Sequence, residues 1–321
     1  MRILILGAGG TGGLFGGRLA QSGADVTFLV REKRKAQLLE HGLRIESPYG
    51  SATVPVVAML QSEIQPVYDV VLLTCKAYDL PAALDAIRPA MDSRGSAAVL
   101  PVLNGLAHIE QLNAQFGERN VIPGTARIQV TLTPQGIVRQ LNEWQTITFG
   151  EQDGRESERV TELKALFDKT GVEAKVSNQI MRELWLKLVH LATVAGMTCL
   201  MRANLGEIVR TPEGSALLKQ FLSLNAEIAA RAGHRPDEKF IRTYEELFSQ
   251  PDSRYEASML RDLERGGPIE SEQILGFMLR QCRQAGLPDT LHAAAYTHAK
   301  AYEERRAAGR LPGAAAVGSP A

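Results

Sequence analysis

Over the first third of the chain, short apolar runs alternate with stretches in which apolar positions recur every three or four residues. Residues 3–6, 26–30, 70–74 and 97–103 are aliphatic or β-branched runs of strand length, and residues 11–22 and 80–87 carry the helical period between them. Strand, helix, strand in that order predicts an α/β fold with a doubly wound, Rossmann-type parallel sheet. After Gly124 the texture changes. Residues 128–132, 137–141 and 146–149, grouped around the turn Pro134-Gln135-Gly136, read as an antiparallel edge that closes this region. From Asn178 to Arg306 the pattern is helical, punctuated by Asn204-Leu205-Gly206, Thr211-Pro212, Gly266-Gly267-Pro268 and Gly286 to Pro288. The organisation expected is a nucleotide-binding Rossmann domain over 1–175, an all-α domain over 176–306, and a disordered Ala/Gly/Pro-rich tail over 307–321.

A length of 321 residues accommodates two such domains. The longest apolar stretch, residues 184–201, holds Lys187 and His190 as well as Thr193, Gly196 and Thr198. Crossing a bilayer would bury two ionisable groups, so a buried helix of a folded domain is expected instead. Met1-Arg2 runs straight into an apolar strand and a glycine cluster, without the basic and apolar regions of a secretory leader. Lys and Arg number 36 and Asp and Glu number 36, so no net charge draws the chain to nucleic acid or anionic lipid, and neither is expected as a partner. Cys75, Cys199 and Cys282 form no CxxC pair and lie in apolar stretches, as buried free thiols of a reducing compartment do. The compartment expected is the cytoplasm. The six histidines form no HExxH motif or Cys/His cluster, and no metal is expected. Nothing in the chain fixes its oligomeric state; a homodimer is compatible with it.

Gly7-Ala8-Gly9-Gly10-Thr11-Gly12 is a GxGxxG placed directly after a strand and before a helix. In that setting Gly7 makes the tight turn, Gly9 lets a pyrophosphate approach the backbone, and Gly12 lets helix and strand pack closely. The end of the second strand selects the cofactor, because a carboxylate there accepts from the ribose hydroxyls whereas a guanidinium binds a 2′-phosphate. The sequence reads Arg31-Glu32-Lys33-Arg34, which favours NADP(H), with Glu32 as the dissenting charge. A solvated first helical turn would carry the same charges. Lys76, in Thr74-Cys75-Lys76-Ala77, and Asn104, in Leu103-Asn104-Gly105, follow the third and fourth apolar runs. They fall at carboxyl ends of parallel strands, where open α/β sheets bind ligands. Each alone reads equally as a surface lysine or an ordinary turn; with the glycine loop they ring one crevice.

In the helical half, Lys187 has Leu184 and Leu191 as same-face neighbours. Unless it snorkels, its ammonium sits in poor solvent, which lowers its pKa and makes it a better proton donor. Spacing alone also fits a lysine at a helix edge. Ser258 and Asp262 lie one turn apart on one face. Glu270 follows the Gly-Gly-Pro break in the first turn of a new helix, where a carboxylate is favoured but is commonly only a cap.

As a set these motifs resemble the ketopantoate reductase family, the NADPH-dependent 2-dehydropantoate 2-reductases of pantothenate synthesis, over roughly residues 1 to 305. The resemblance rests on the glycine loop with Arg31, Cys75-Lys76-Ala77, Asn104-Gly105, Glu183-Leu184-Trp185-Leu186-Lys187-Leu188, Ser258-Met259-Leu260-Arg261-Asp262 and Glu270. It implies a Rossmann domain followed by a helical domain, with the active site in the cleft between them and a small 2-oxo acid as substrate. Lys187 is then the general acid at the substrate carbonyl, and Glu270 the carboxylate near the nicotinamide ribose and the reacting hydroxyl. Lys76 and Asn104 are cofactor contacts, Asn104 also reaching substrate, and Ser258 binds the substrate carboxylate. In the pantoate-forming members, asparagines stand four and eight residues after the lysine, and a third just before the Gly206-Glu207 pair. Here those positions are Leu191, Ala195 and Leu205, with Asn204 one residue away. The expectation is a reductase whose 2-oxo acid lacks pantoate's hydroxyl or places it elsewhere; His190, Thr193 or Asn204 could restore a polar contact. A dehydrogenase of β-hydroxyacid or hydroxyacyl type and a non-catalytic NADP-binding sensor are the other readings.

Overall fold

The computed structural model describes residues 1–91 and 97–311. The chain divides into two compact units, Met1–Leu103 with His108–Met181, and Asn104–Ala107 with the chain from Arg182 onward.

The first unit contains β1 (Arg2–Leu6), α1 (Gly10–Gln21), β2 (Asp25–Leu29), α2 (Glu32–His41), β3 (Leu43–Glu46), β4 (Ala52–Val54) and β5 (Val57–Met59). There follow β6 (Val70–Leu73), α3 (Leu80–Ile87), β7 (Ala98–Pro101), α4 (Ala107–Phe116, whose first residue belongs to the second unit), β8 (Gly124–Leu132), β9 (Val138–Phe149), α5 (Glu158–Phe167) and β10 (Glu173–Val176). Strands β5-β2-β1-β6-β7 form one sheet, parallel at every pairing. Strands β6 and β7 are buried along their whole length and β1 and β2 along most of theirs, which is why they read as largely apolar runs. Thr74 lies just past the strand β6, and its hydroxyl donates to the Leu6 carbonyl at 2.9 Å.

The region after Gly124 departs from the expected antiparallel edge. β8 and β9 do pair antiparallel, with an irregularity between Ile128 and Val130, but they belong to a second five-stranded sheet. In it β9 also pairs parallel with β10 and with β3, which pairs antiparallel with β4. The run over 137–141 and that over 146–149 are one twelve-residue strand.

Helix α1 packs against both sheets, and its glycines make this feasible. A Cβ on Gly12 would lie 3.2 Å from Ile5 Cγ2, and one on Gly16 2.7 Å from Phe28 Cζ, both on the parallel sheet. A Cβ on Gly13 would lie 2.6 Å from Val138 Cγ2, and one on Gly17 2.6 Å from Ile45 Cδ1, both on the second sheet. Two i, i+4 glycine pairs thus line two adjacent faces of one helix, so side chains of both sheets reach its backbone. Phe15 of the same helix meets Phe167 of α5 edge-on, with ring centroids 6.1 Å apart, and both are fully buried.

The second unit is helical: α6 (Ile180–Met201, whose first two residues close the first unit), α7 (Leu205–Val209), α8 (Gly214–Arg231), α9 (Glu238–Leu247), α10 (Ser258–Glu264), α11 (Phe277–Gln284) and α12 (Thr290–Ala307). A π-helical segment, Glu272–Gly276, leads into α11. By length and composition α6 could cross a bilayer, but 72% of its most apolar window is buried in the protein. It meets α8 closely at Gly196, where a Cβ would come 2.3 Å from Phe221 Cε1. A buried polar chain joins α12, α8 and α6: His292 Nε2 donates to Asn225 Oδ1 at 2.9 Å, Asn225 Nδ2 to Thr193 Oγ1 at 3.0 Å, and Thr193 Oγ1 to the Val189 carbonyl at 2.8 Å.

Residues 307–311 do not behave as the disordered tail expected from residue 307. Ala307 is still helical and the Arg310 amide donates to the Arg305 carbonyl at 2.8 Å; the rest of that expectation, over 312–321, lies outside the described residues. Cys199 and Cys282 are buried, but Cys75 is only half-buried, because it sits just past the end of β6.

Candidate active site

The glycine loop occupies the turn from β1 into α1. Gly7 has φ +88°, a conformation that side chains rarely adopt, and its amide donates to the Leu29 carbonyl at 2.9 Å. A Cβ on Gly12 would lie 2.2 Å from the Gly7 carbonyl oxygen, so the loop closes against its own helix. Gly9, the N-cap of α1, has no atom of a described residue within 4 Å of where its Cβ would be. Open space at Gly9 and first-turn amides with no partner inside the helix suit a pyrophosphate. The residues present therefore fit a dinucleotide.

At the end of β2, Arg31 is the N-cap of α2 and is exposed, as are Glu32 and Lys33. Arg34 points back under the loop: Nε donates to the Ala8 carbonyl at 3.0 Å and Nη1 to the Gly136 carbonyl at 2.9 Å. It ties the glycine loop to the turn between β8 and β9, a role no local pattern revealed because Gly136 lies 102 residues away. Burial and the Arg44 guanidinium lower its pKa. Lys76 is exposed at the N-cap of a short 3₁₀ turn, Ala77–Asp79, after β6.

Asn104 and Gly105 follow β7 in sequence but pack with the helical unit. Gly105 has φ +87°, and a Cβ there would lie 2.6 Å from the Gln273 carbonyl oxygen, so only glycine fits without displacement. Glu270 is buried and immediately precedes the helix that opens at Ser271, rather than sitting within its first turn as the sequence suggested; its carbonyl accepts from the Ile274 amide at 3.3 Å.

Lys187 lies on the second turn of α6. Burial drives its pKa from 10.5 down to about 8, and the negative charge of Glu270 opposes that fall. The ammonium is therefore a stronger acid than a free lysine, held in its charged form by a carboxylate from a different element. Trp185 is wedged between His234, stacked at 5.9 Å, and Phe277 at 5.7 Å, which fixes the turn carrying the lysine. Ser258 is the first residue of α10 and is exposed.

Leu191 is half-buried and Ala195 fully so. The polar substitutes suggested by the sequence all have other partners. His190 Nε2 is 2.8 Å from Tyr255 Oη, with its ring stacked on Tyr244 at 4.4 Å. Thr193 belongs to the buried chain through Asn225. Asn204 caps α7, accepting from the Glu207 amide at 3.0 Å, while Leu205 is completely buried. The cap prevails because the Glu207 carboxylate accepts from the Asn204 amide in return.

Comparison with known proteins gives one consistent picture. The chain is 30% identical over 306 residues to the uncharacterized oxidoreductase YkpB of Bacillus subtilis, covering 95% of this chain and 100% of that protein. It is 28% identical to the 2-dehydropantoate 2-reductase of Halobacterium salinarum, covering 88% and 92%. The crystal structure of 2-dehydropantoate 2-reductase from Methylococcus capsulatus superposes with a TM-score of 0.85 at 26% identity, covering 95% and 98%. The ternary structure of D-mandelate dehydrogenase with NADH and anilino(oxo)acetate shares the fold, with a TM-score of 0.83 at 22% identity, covering 96% and 100%. With the N-terminal model of ketopantoate reductase PanE/ApbA matching residues 3–154 and its C-terminal model residues 179–303, the chain belongs to the ketopantoate reductase family of oxidoreductases.

Proposed function

We propose that the protein is an NADPH-dependent reductase of a 2-oxo acid, nominally converting 2-dehydropantoate to pantoate in the cytoplasm. The observation that carries this reading is the lowered pKa of Lys187, opposed by the Glu270 carboxylate. When bound, the reduced nicotinamide supplies the hydride. Lys187 Nζ–H polarises the substrate carbonyl and gives its proton to the oxygen as the hydroxyl forms, and a pKa near 8 leaves it charged yet willing to transfer at neutral pH. Glu270 restores the charge balance around the ammonium and orients it. Ser258 binds the substrate carboxylate, and Asn104 and Lys76 contact the cofactor, Asn104 also touching substrate. In the nucleotide loop, Gly7, Ala8, Gly9, Gly10, Thr11 and Gly12 hold the pyrophosphate and Arg31 the 2′-phosphate.

A second reading concerns only the substrate. Leu191, Ala195 and Leu205 are apolar where polar amides are expected, and His190, Thr193 and Asn204 have other partners. A substrate hydroxyl against that wall would lose its hydrogen bond, at about 1–3 kcal/mol. This supports a more apolar 2-oxo acid than ketopantoate.

One experiment tests both readings: NADPH oxidation with ketopantoate and with branched and aromatic 2-oxo acids, on wild type and on the double variant Leu191→Asn, Ala195→Asn. Turnover of an apolar acid in preference to ketopantoate supports the second reading, provided the double variant shifts preference back. Ketopantoate reduced at about 10⁴–10⁸ M⁻¹s⁻¹ by wild type, with no gain in the double variant, leaves only the first. Binding of NADPH without turnover of any 2-oxo acid overturns both in favour of a sensor.

A further inference from the structure

The π-helical segment that follows Glu270 contains a polar group that no described residue satisfies. Ser271 donates to Glu303, and the Glu272 carboxylate accepts from Arg280 and from Tyr296 Oη. Gln273 differs: it is 8% exposed, and its Oε1 is buried with no hydrogen-bond partner among the described residues. A buried amide oxygen without a donor is costly, and it persists in a folded protein chiefly where something else supplies the donor.

Position supports the same conclusion. The Gln273 Cβ lies 3.7 Å from where a Cβ on Gly105 would be, and the Gln273 carbonyl only 2.6 Å, so this residue sits directly against the Asn104-Gly105 turn. Gln273 is also three residues beyond Glu270. The segment Glu272–Gly276 has π geometry, a wider turn than that of an α-helix, which occurs mostly as single turns inside helices and frequently at functional sites. Three observations of different kinds, an unsatisfied buried acceptor, a wide turn and contact with a site loop, therefore meet at one residue.

From these we infer that Gln273 is a ligand-binding residue whose side-chain carboxamide accepts a hydrogen bond from an O–H or N–H donor of the bound cofactor or substrate. The inference rests on the reductase reading, and it adds a residue to that site. Two sources supply such a donor: the nicotinamide end of NADPH, with its carboxamide and ribose hydroxyls, or a hydroxyl on the 2-oxo acid.

The test is Gln273→Met, which keeps length and removes the acceptor, with Gln273→Leu as the second variant should the first fold poorly. NADPH affinity is read by fluorescence titration, and KM and kcat are read for ketopantoate and for a 2-oxo acid of similar size without a hydroxyl. Without ligand, the melting temperature should hold or rise, because an unsatisfied oxygen has been removed. A donor from the cofactor predicts about a tenfold weaker NADPH affinity and an equal effect on both substrates. A donor from the substrate predicts unchanged NADPH affinity and about a tenfold rise in KM for the hydroxylated acid alone. A fall in melting temperature with unchanged affinity and KM would show a purely structural residue and overturn the inference, as would no change in any of the three. Should wild type bind NADPH yet reduce no 2-oxo acid, the reductase reading fails by itself; the cofactor arm still decides Gln273.

Discussion

The Glu270 carboxylate opposes the desolvation of the Lys187 ammonium, so that burial lowers the lysine's pKa to about 8 and no further toward neutrality. A buried lysine without such a neighbour would lose its proton at lower pH and could not serve as an acid. The pair sets both the charge state of Lys187 and the pH range in which it can act.

Lys187→Ala should keep NADPH affinity and lose turnover by about 10²–10⁴-fold, the usual loss for a positioned acid. Lys187→Arg should not rescue it, because a guanidinium is too weak an acid and differently shaped. In the reduction direction the active form is protonated, so kcat/KM should fall as pH rises through about 8, and in the reverse direction it should rise over the same interval. Steady-state profiles from pH 6 to about 10 check this; a profile for reduction that stays flat across that range, or an alanine variant with near-normal kcat, removes the assignment.

Arg31 stands exposed at the N-cap of α2, where a nucleotide's ribose is expected, and should discriminate NADPH from NADH. Arg31→Ala should lose roughly ten- to hundred-fold in NADPH affinity, the worth of about 1.5–3 kcal/mol for a charge-assisted contact, and almost nothing in NADH affinity. Titration of both cofactors decides it, and equal wild-type affinities would refute the assignment.

Gly9 and Gly16 should respond oppositely to the same methyl group. Gly9→Ala places a Cβ in open space, so the melting temperature should hold while NADPH affinity drops. Gly16→Ala places it 2.7 Å from Phe28 Cζ and 2.9 Å from Ile5 Cγ1, both fully buried, and should cost about 1–3 kcal/mol of stability. Denaturant unfolding alongside cofactor titration separates the two; stability lost equally in both variants would contradict the packing described.

His292 should acid-sensitise the fold. Burial lowers its pKa from 6.5 to about 4, so on acidification the unfolded chain takes up the proton first. Stability is therefore lost as pH falls from about 6.5 to about 4, by on the order of 3 kcal/mol from this group. An imidazole resonance that titrates below pH 5 in the folded protein is the expected signature, and His292→Gln should flatten the acid limb of unfolding. Titration of His292 near 6.5 would contradict the prediction.

Much of this protein is local in origin. Strands β6 and β7 are short unbroken apolar runs, and β1 and β2 nearly so, because a parallel sheet covered on both faces buries most of their residues, and that signature is visible without knowing the partner strand. The glycine loop is equally local: Gly7 and Gly12 serve a turn and a contact that close within six residues. Of the second sheet only the antiparallel pairing of β8 and β9 was legible. β3 and β4 have four and three residues, too few for a period to show, and β3 finds a partner in β9 some 93 residues on, at Ile45 and Val138. Nor did local pattern explain Gly13, Gly16 and Gly17, because what requires them is side chains arriving from two sheets at once. Lys187 could be singled out from its apolar neighbours, but a spacing rule cannot distinguish a snorkelling lysine from a desolvated one. That distinction depends on which carboxylate shares its surroundings, and Glu270 comes from 83 residues further along the chain. Asn204 shows the same division: it carried the right chemistry for a substrate contact, but a reciprocal bond with Glu207 claimed it for the end of a helix. The sequence alone determined what each residue is able to do; the tertiary structure decided which partner it meets, because hydrogen bonds, burial and charge act over a few ångströms and the chain alone does not bring distant residues that close.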